Sequence, residues 1–205
     1  ISPAVFIPIA EESNLIHDLG DWVLEKSLEV LAQWPGQYVS VNFSPRQFRR
    51  HNFVGYVVER CQRAGIEPTR LQIEITETAI FDDADRAADT LYRLRQMGFR
   101  IALDDFGTGY SSLAYLQSAP FDKIKIDQSF VLGAADPSSM NAAIISSIVG
   151  LATALDMETT AEGVETHDDL SLIRGLGCSH VQGYIYGKPM DLVEVLALLR
   201  RCRAN

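Results

Sequence analysis

The sequence predicts an α/β fold in which parallel strands close into a barrel of the (β/α)8 type. Two observations lead to this fold class. Short β-branched segments alternate with longer segments that carry apolar residues at helical spacing, and this alternation favours parallel pairing. Polar and apolar residues also alternate within the strand segments, whereas strands covered by helices on both faces are apolar throughout. A barrel with helices outside and a polar lumen inside explains both patterns.

Six segments of the 205-residue chain have the length and β-branched content of strands. They lie at 38–43, 71–76, 100–104, 123–127, 158–162 and 180–184. In the first two, valine, leucine, isoleucine and phenylalanine alternate with serine, asparagine, glutamine, glutamate and threonine. Three later segments repeat the alternation, so one face of each strand is predicted to meet an outer helix and the other face the lumen.

Helical patterns fill the intervals between the strands. They lie at 14–34, 53–64, 84–97, 111–116, 140–155, 168–176 and 192–200. A (β/α)8 barrel needs about eight strands, and the chain opens at Ile1-Ser2-Pro3 as if within a connection. We therefore expect residues 1–205 to form one N-terminally incomplete domain, with about two strands missing upstream of Ile1.

Composition limits the class of partner and the compartment. The 18 basic and 27 acidic residues give a net charge of -9, so the chain lacks the basic surface that a polymeric nucleic acid requires. Any phosphate group that the protein binds would instead contact metal ions held by its carboxylates. Three dispersed cysteines without a C-x-x-C pair disfavour both disulfides and a zinc site, and no apolar run approaches the length of a membrane span. These features predict a cytoplasmic location.

Polar side chains lie at or near the carboxyl ends of six successive strands, where the active sites of such barrels lie. These residues are Asn42, Glu74, Asp104, Asp105, Lys125, Glu162 and Gln182. An amide oxygen with several carboxylates suits Mg²⁺ or Mn²⁺ better than zinc. The adjacent Asp104 and Asp105 favour two closely spaced ions, the arrangement used for displacement at phosphorus. Lys125 would neutralise developing charge or steady a nucleophilic water.

Each candidate also has a purely structural interpretation. Segment 104–109 fits an Asx-type turn, and Asn42 fits the start of a helix. Glu74 and Glu77 fit a strand end followed by a helix-capping carboxylate, and Glu162 fits a solvated turn. Structural roles do not readily account for inward polar groups at six successive strand ends. That recurrence favours a functional site.

An ordered series of motifs covers nearly the whole chain. It consists of FIPIAEES (6–13), VNFSPRQF (41–48), IEITET (73–78), ALDDFGTGYSSL (102–113), KIDQSFV (125–131), AEGVET (161–166) and QGYIYGKP (182–189). In this order the motifs resemble the EAL-domain family of bacterial cyclic di-GMP phosphodiesterases. The resemblance implies a TIM-like (β/α)8 barrel of EAL type, two Mg²⁺ or Mn²⁺ ions, and hydrolysis of cyclic di-GMP to linear pGpG.

The resemblance also implies a role for each matching position. Metal ligands match Asn42, Glu74 and Asp104, with Asp105 on the side of the second metal. The catalytic residues match Lys125, Glu162 and Gln182: the catalytic lysine, a general base or ligand of metal-bound water, and an active-site glutamine. Glu77 resembles the glutamate that anchors loop 106–112, which in this family contributes to dimer contacts.

The Glu-Ala-Leu signature itself is absent from this sequence, and we expect it upstream of Ile1. Two other functions therefore stay open: a catalytically inactive cyclic di-GMP receptor, and a scaffold that contacts partner domains. The retained polar positions favour catalysis over the receptor, and a scaffold leaves them unexplained. The resemblance further implies a homodimer and an attached upstream sensory or diguanylate cyclase domain, within a protein that membrane segments elsewhere could anchor.

Overall fold

The computed structural model describes residues 1–81, 83–107, 116–117, 119–134 and 136–203, without the side chains of 81 and 200–203. The helix predicted at 111–116 lies outside the described residues, apart from residue 116. The same holds for most of the loop predicted at 106–112. The remaining chain alternates between strands and helices.

Six parallel strands form one sheet, and each strand pairs with its neighbour in the sequence. They are β1 (Val39–Asn42), β2 (Leu71–Thr76), β3 (Arg100–Phe106), β4 (Lys123–Ile126), β5 (Glu158–Ala161) and β6 (His180–Val181). A doubly wound sheet would reverse its order at a switch point. The continuous order is that of a barrel wall, and it brings the carboxyl ends of all six strands to one rim.

Ten α-helices with described bounds, and a 3-10 helix at Pro68–Arg70, connect or flank the strands in the described part of the chain. The α-helices are α1 (Pro3–Glu12), α2 (Ile16–Gln33), α3 (Pro45–Phe48), α4 (Phe53–Ala64), α5 (Glu77–Phe81), α6 (Ala84–Gln96), α7 (Gln128–Leu132), α8 (Met140–Ala154), α9 (His167–Gly175) and α10 (Leu192–Arg203). The sequence patterns missed α3, α5 and α7, which are too short to show a period, and α1, which contains Pro8. None of these helices has both the length and the apolar character of a membrane span.

The two faces of the sheet differ as the alternation predicts. Apolar strand positions join the helices in one core, whose largest fully buried side chains are Leu24, Leu31, Leu71, Ile73, Ile75, Leu91, Leu94, Ile101, Ile124, Ile126, Ile145 and Ile173. The alternate positions carry buried polar side chains: Gln72, Glu74, Asp104, Lys123, Lys125 and Thr160. Because buried polar groups need partners, the lumen face requires an internal network of hydrogen bonds and ion pairs.

The last strand is shorter than the predicted segment 180–184. β6 ends at Val181, although the backbone N–H of Gln182 still donates to the carbonyl oxygen of Ala161 at 2.8 Å. Beyond it, Gly183 lies against the backbone of Val164, and a Cβ at this glycine would fall 2.1 Å from the Val164 oxygen. This close approach turns the chain out of the sheet directly after Gln182.

Candidate active site

Lys125 occupies the centre of the polar cluster in the lumen. Its Nζ atom lies 2.7 Å from Glu74 Oε2 on β2 and 2.8 Å from Asp104 Oδ1 on β3. It lies 2.7 Å from Glu162 Oε1, directly after β5. The side chains of Lys125 and Glu74 are each 5% exposed. Four neighbouring strands thus bring one cation and three carboxylates into direct contact, at positions that the sequence predicted to lie near the strand ends and mostly to face the lumen.

The electrostatics of the cluster keep Lys125 charged. Burial alone would lower the pKa of this lysine, but its three carboxylate neighbours outweigh burial and raise the pKa above the ordinary value. Burial raises the pKa of Glu162, an effect that the nearby Lys125 only partly opposes. Burial also raises the pKa of Asp105, and the charge of Asp104 adds to the effect. The centre therefore combines a charged lysine with two carboxyl groups, Asp105 and Glu162, whose pKa values are raised.

Asp105 reaches the same region because β3 contains a bulge. The pairing of β3 with β4 shifts by one residue between Leu103 and Phe106, and Asp105 has a φ of 54°. Adjacent residues of a regular strand point to opposite faces, so strand parity alone would send Asp104 and Asp105 apart. Instead one carboxylate oxygen each of Asp104, Asp105 and Glu162 lies within 4.8 Å of the others. This group of three acids can hold a metal ion.

Asn42 and Gln182 lie at the two outer strands. Asn42 ends β1 in register with Glu74, and its side chain is exposed. Gln182 is also exposed, and with Glu74 and Lys125 it lines a cavity of about 350 Å³ on the lumen face. The structure therefore groups Glu74, Lys125 and the acids tightly, and it places the two amides at the margins of the group.

Glu77 begins α5 and is buried beside the end of β3. Its Oε1 atom accepts a hydrogen bond from the backbone N–H of Gly107 at 2.9 Å. Gly107 is the second residue of the predicted loop 106–112. This hydrogen bond ties Glu77 to the start of the loop. Residues 108–112 lie outside the described part of the chain, so the anchoring of the whole loop by Glu77 stays a prediction.

Sequence reasoning missed the layer of polar residues beneath Glu74. The side-chain amide nitrogen of Gln72 donates to Glu74 Oε1 at 3.0 Å and to Ser40 Oγ at 2.9 Å. Below this layer, Lys123 forms an ion pair of 3.3 Å with Glu158. The alternation that identified Glu74 also places Gln72 on the lumen face, so strand parity could have predicted that Gln72 lies beside Glu74.

Comparison with known proteins agrees with the family resemblance of the sequence motifs. The family model described as EAL domain matches residues 1–189. MucR of Pseudomonas aeruginosa, named a bifunctional diguanylate cyclase/cyclic di-GMP phosphodiesterase, is 39% identical over 202 residues. These residues cover 96% of this chain but 29% of MucR, so the chain spans less than a third of that relative.

Two solved structures show the similarity in three dimensions. The PaMucR phosphodiesterase in complex with c-di-GMP has a TM-score of 0.91 and 38% identity, covering 95% of this chain and 87% of that one. Klebsiella pneumoniae BlrP1, a calcium/cyclic di-GMP complex, has a TM-score of 0.75 and 30% identity, covering 84% and 44% respectively. The match confirms the predicted fold class, an α/β fold of the TIM-like barrel type.

Proposed function

The chain belongs to the EAL domain family, and from this premise we propose that it hydrolyses cyclic di-GMP to linear pGpG in a metal-dependent reaction. The relative named a cyclic di-GMP phosphodiesterase and the solved c-di-GMP complex support the substrate. The observation that carries the proposal is the contact of Lys125 with Glu74, Asp104 and Glu162 in the lumen. Carboxylates that hold metal ions, with a cation beside them, are a common arrangement for displacement at phosphorus.

The residues present fit a divalent cation. Asp104, Asp105 and Glu162 offer one oxygen each within 4.8 Å, and Asn42 and Glu74 extend the set with an amide and a further carboxylate oxygen. Hard oxygen donors of this kind suit Mg²⁺ or Mn²⁺, and the paired aspartates favour two ions. When bound, such ions lower the pKa of a coordinated water and stabilise negative charge on a phosphate.

The chain's own side chains would divide the remaining work. Lys125, held charged by its carboxylate neighbours, offers a cation for the phosphate oxygens as negative charge develops on them. Glu162, whose pKa is raised, would accept a proton from the attacking water as the water oxygen bonds to phosphorus; one P–O ester bond of the substrate breaks, and its leaving oxygen takes up a proton from solvent. Gln182, an exposed amide that lines the same cavity, would offer hydrogen bonds to the substrate. Glu77 holds the start of loop 106–112.

The relatives support a proposal about the wider assembly. Because the chain spans 29% of MucR, we propose that it is one module of a longer signalling protein with an upstream sensory or diguanylate cyclase domain. Homodimerisation through the region of loop 106–112 is part of the same proposal. The dispersed cysteines, Cys61, Cys178 and Cys202, support a reducing, cytoplasmic compartment.

The proposal is tested by Asp104→Asn in the full-length protein. Asparagine keeps the shape of the side chain but removes a charge from the metal-binding group, so hydrolysis should fall by at least about 100-fold while the fold is kept. Chromatography of pGpG measures turnover, and circular dichroism checks the fold. Asp89→Asn is the matched control, because Asp89 lies on the exposed surface of α6 and pairs with Arg93 at 3.7 Å.

Three outcomes are distinct. Loss of pGpG production in Asp104→Asn, with Asp89→Asn fully active, supports the assignment. Wild-type turnover in Asp104→Asn contradicts the role of Asp104 as a metal ligand. A wild-type protein that binds cyclic di-GMP in calorimetry but releases no pGpG with Mg²⁺ or Mn²⁺ contradicts catalysis and identifies a receptor.

A further inference from the structure

Gln72 is a buried amide on the lumen face of β2, with 3% of its surface exposed. It lies two residues before Glu74, so both side chains project from the same face of the strand. Its amide nitrogen carries two hydrogens, and both find acceptors: Glu74 Oε1 at 3.0 Å and Ser40 Oγ at 2.9 Å. The donor capacity of the Gln72 amide is fully used.

The network fixes the direction of this amide. In the reverse orientation the Gln72 carbonyl oxygen would face a carboxylate oxygen of Glu74, and two acceptors would repel each other. Ser40, the direct register partner of Gln72 across β1 and β2, accepts the second amide hydrogen in this orientation. Gln72 is thus held from one side by the neighbouring strand and presents an N–H group to Glu74 on the other.

Glu74 is consequently held at both oxygens. Oε1 receives the N–H of Gln72, and Oε2 receives the ammonium group of Lys125 at 2.7 Å. Lys125 shares its three protons among three carboxylates, so by itself it does not fix the rotation of any one of them. The hydrogen bond from Gln72 is a second contact, and together with the contact to Lys125 it sets the plane of the Glu74 carboxylate. Because the amide is neutral, this contact adds no charge.

We infer that Gln72 is a positioning residue for Glu74: through a hydrogen-bonded line from Ser40 it orients a carboxylate of the metal-binding centre. The inference rests on the proposed function. Residues that orient metal ligands commonly contribute about 10- to 100-fold to metal affinity or activity. The neutral amide is well suited to the task, because it leaves the negative charge of Glu74 available to a cation.

The experiment compares Gln72→Met with wild type in the full-length protein. Methionine keeps the approximate volume but removes the N–H donor. Mn²⁺ affinity, measured by electron paramagnetic resonance, should fall by about 10-fold or more, and kcat at fixed Mn²⁺ should fall with it. The KM for cyclic di-GMP at saturating Mn²⁺ should stay within about twofold of wild type, since Gln72 acts on Glu74 and not on the substrate.

Two further variants make the result decisive. Thr160→Val, an isosteric change at an equally buried lumen position of β5, controls for disturbance of the lumen and should leave Mn²⁺ affinity unchanged. Ser40→Ala removes the outer anchor at an exposed position and should lower Mn²⁺ affinity severalfold even if Gln72→Met fails to fold. If Gln72→Met folds and its Mn²⁺ affinity is unchanged, the inference is overturned. If Gln72→Met does not fold, unchanged Mn²⁺ affinity in Ser40→Ala overturns it. A wild-type protein that binds Mn²⁺ but does not hydrolyse cyclic di-GMP contradicts the proposed function and leaves the role of Gln72 in metal binding standing.

Discussion

Replacing Lys125 by methionine should destabilise the metal-free protein strongly and in a pH-dependent manner. The substitution keeps the aliphatic stem but removes the positive charge that Glu74, Asp104 and Glu162 contact at 2.7 to 2.8 Å. Three buried or half-buried carboxylates are then left facing one another. Uncompensated buried charge is among the most costly defects that a single substitution produces.

The magnitude follows from these contacts. Breaking one buried ion pair costs about 3–5 kcal/mol, and the three contacts here involve one cation, so their costs do not simply add. Proton uptake limits the loss, because each unit by which a carboxyl pKa rises is about 1.4 kcal/mol. We expect the free energy of unfolding at neutral pH to fall by about 3 kcal/mol. A bound divalent cation would restore positive charge among the same oxygens and reduce the difference.

The sign of the pH dependence is fixed. In Lys125→Met the folded-state pKa values of the carboxyl groups rise above their unfolded values of about 4. A raised carboxyl pKa gives stability that is complete below the unfolded value and is lost as pH rises through the folded one. The difference between variant and wild type should therefore shrink as the pH falls towards about 4. In the wild type, the raised pKa of Lys125 keeps its contribution complete at neutral pH.

Urea denaturation at two pH values, with and without Mn²⁺, measures these differences. Lys123→Met is the matched control on the same strand: Lys123 is equally buried, but its partner Glu158 is 54% exposed and remains solvated. It should cost no more than about 1 kcal/mol. Equal losses in both variants, or a loss in Lys125→Met that is the same at both pH values, would refute the reasoning.

Two other predictions concern metal binding and the packing of the outer helices. Burial raises the pKa of Asp105 and Glu162, so at acidic pH protons compete with a metal ion for these two carboxylates. Mn²⁺ affinity should therefore fall as the pH is lowered through the raised pKa values, which calorimetry at a series of acidic pH values measures. An affinity that does not change over this acidic range contradicts the prediction. Arg70 donates to the carbonyl oxygen of Leu31 at the end of α2 at 2.7 Å, so Arg70→Ala should lower the free energy of unfolding by about 2 kcal/mol. Arg63→Ala, which loses only an exposed ion pair on α4, should cost less than about 0.5 kcal/mol in the same urea titration.

The centre of the site was predictable because it depends on strand parity. Glu74 and Lys125 alternate with buried isoleucines, so a parallel barrel order is enough to bring their side chains together. The convergence of Asp104 and Asp105 has another origin. It depends on a bulge and a left-handed backbone at Asp105, which local alternation does not encode. The end of the last strand likewise depends on the close approach of Gly183 to Val164, a contact between distant parts of the chain.

The Lys125 cluster has a consequence for the order in which ligands arrive. The centre has a formal charge of -3 when its four carboxylates and one ammonium group are all ionised; these belong to Glu74, Asp104, Asp105, Glu162 and Lys125. A phosphodiester is itself an anion, so it would meet a repulsive potential there. One divalent cation leaves the centre at -1, and a second brings it to +1. Under the proposed function, charge balance therefore selects an ordered sequence in which cations enter first and the anionic substrate follows.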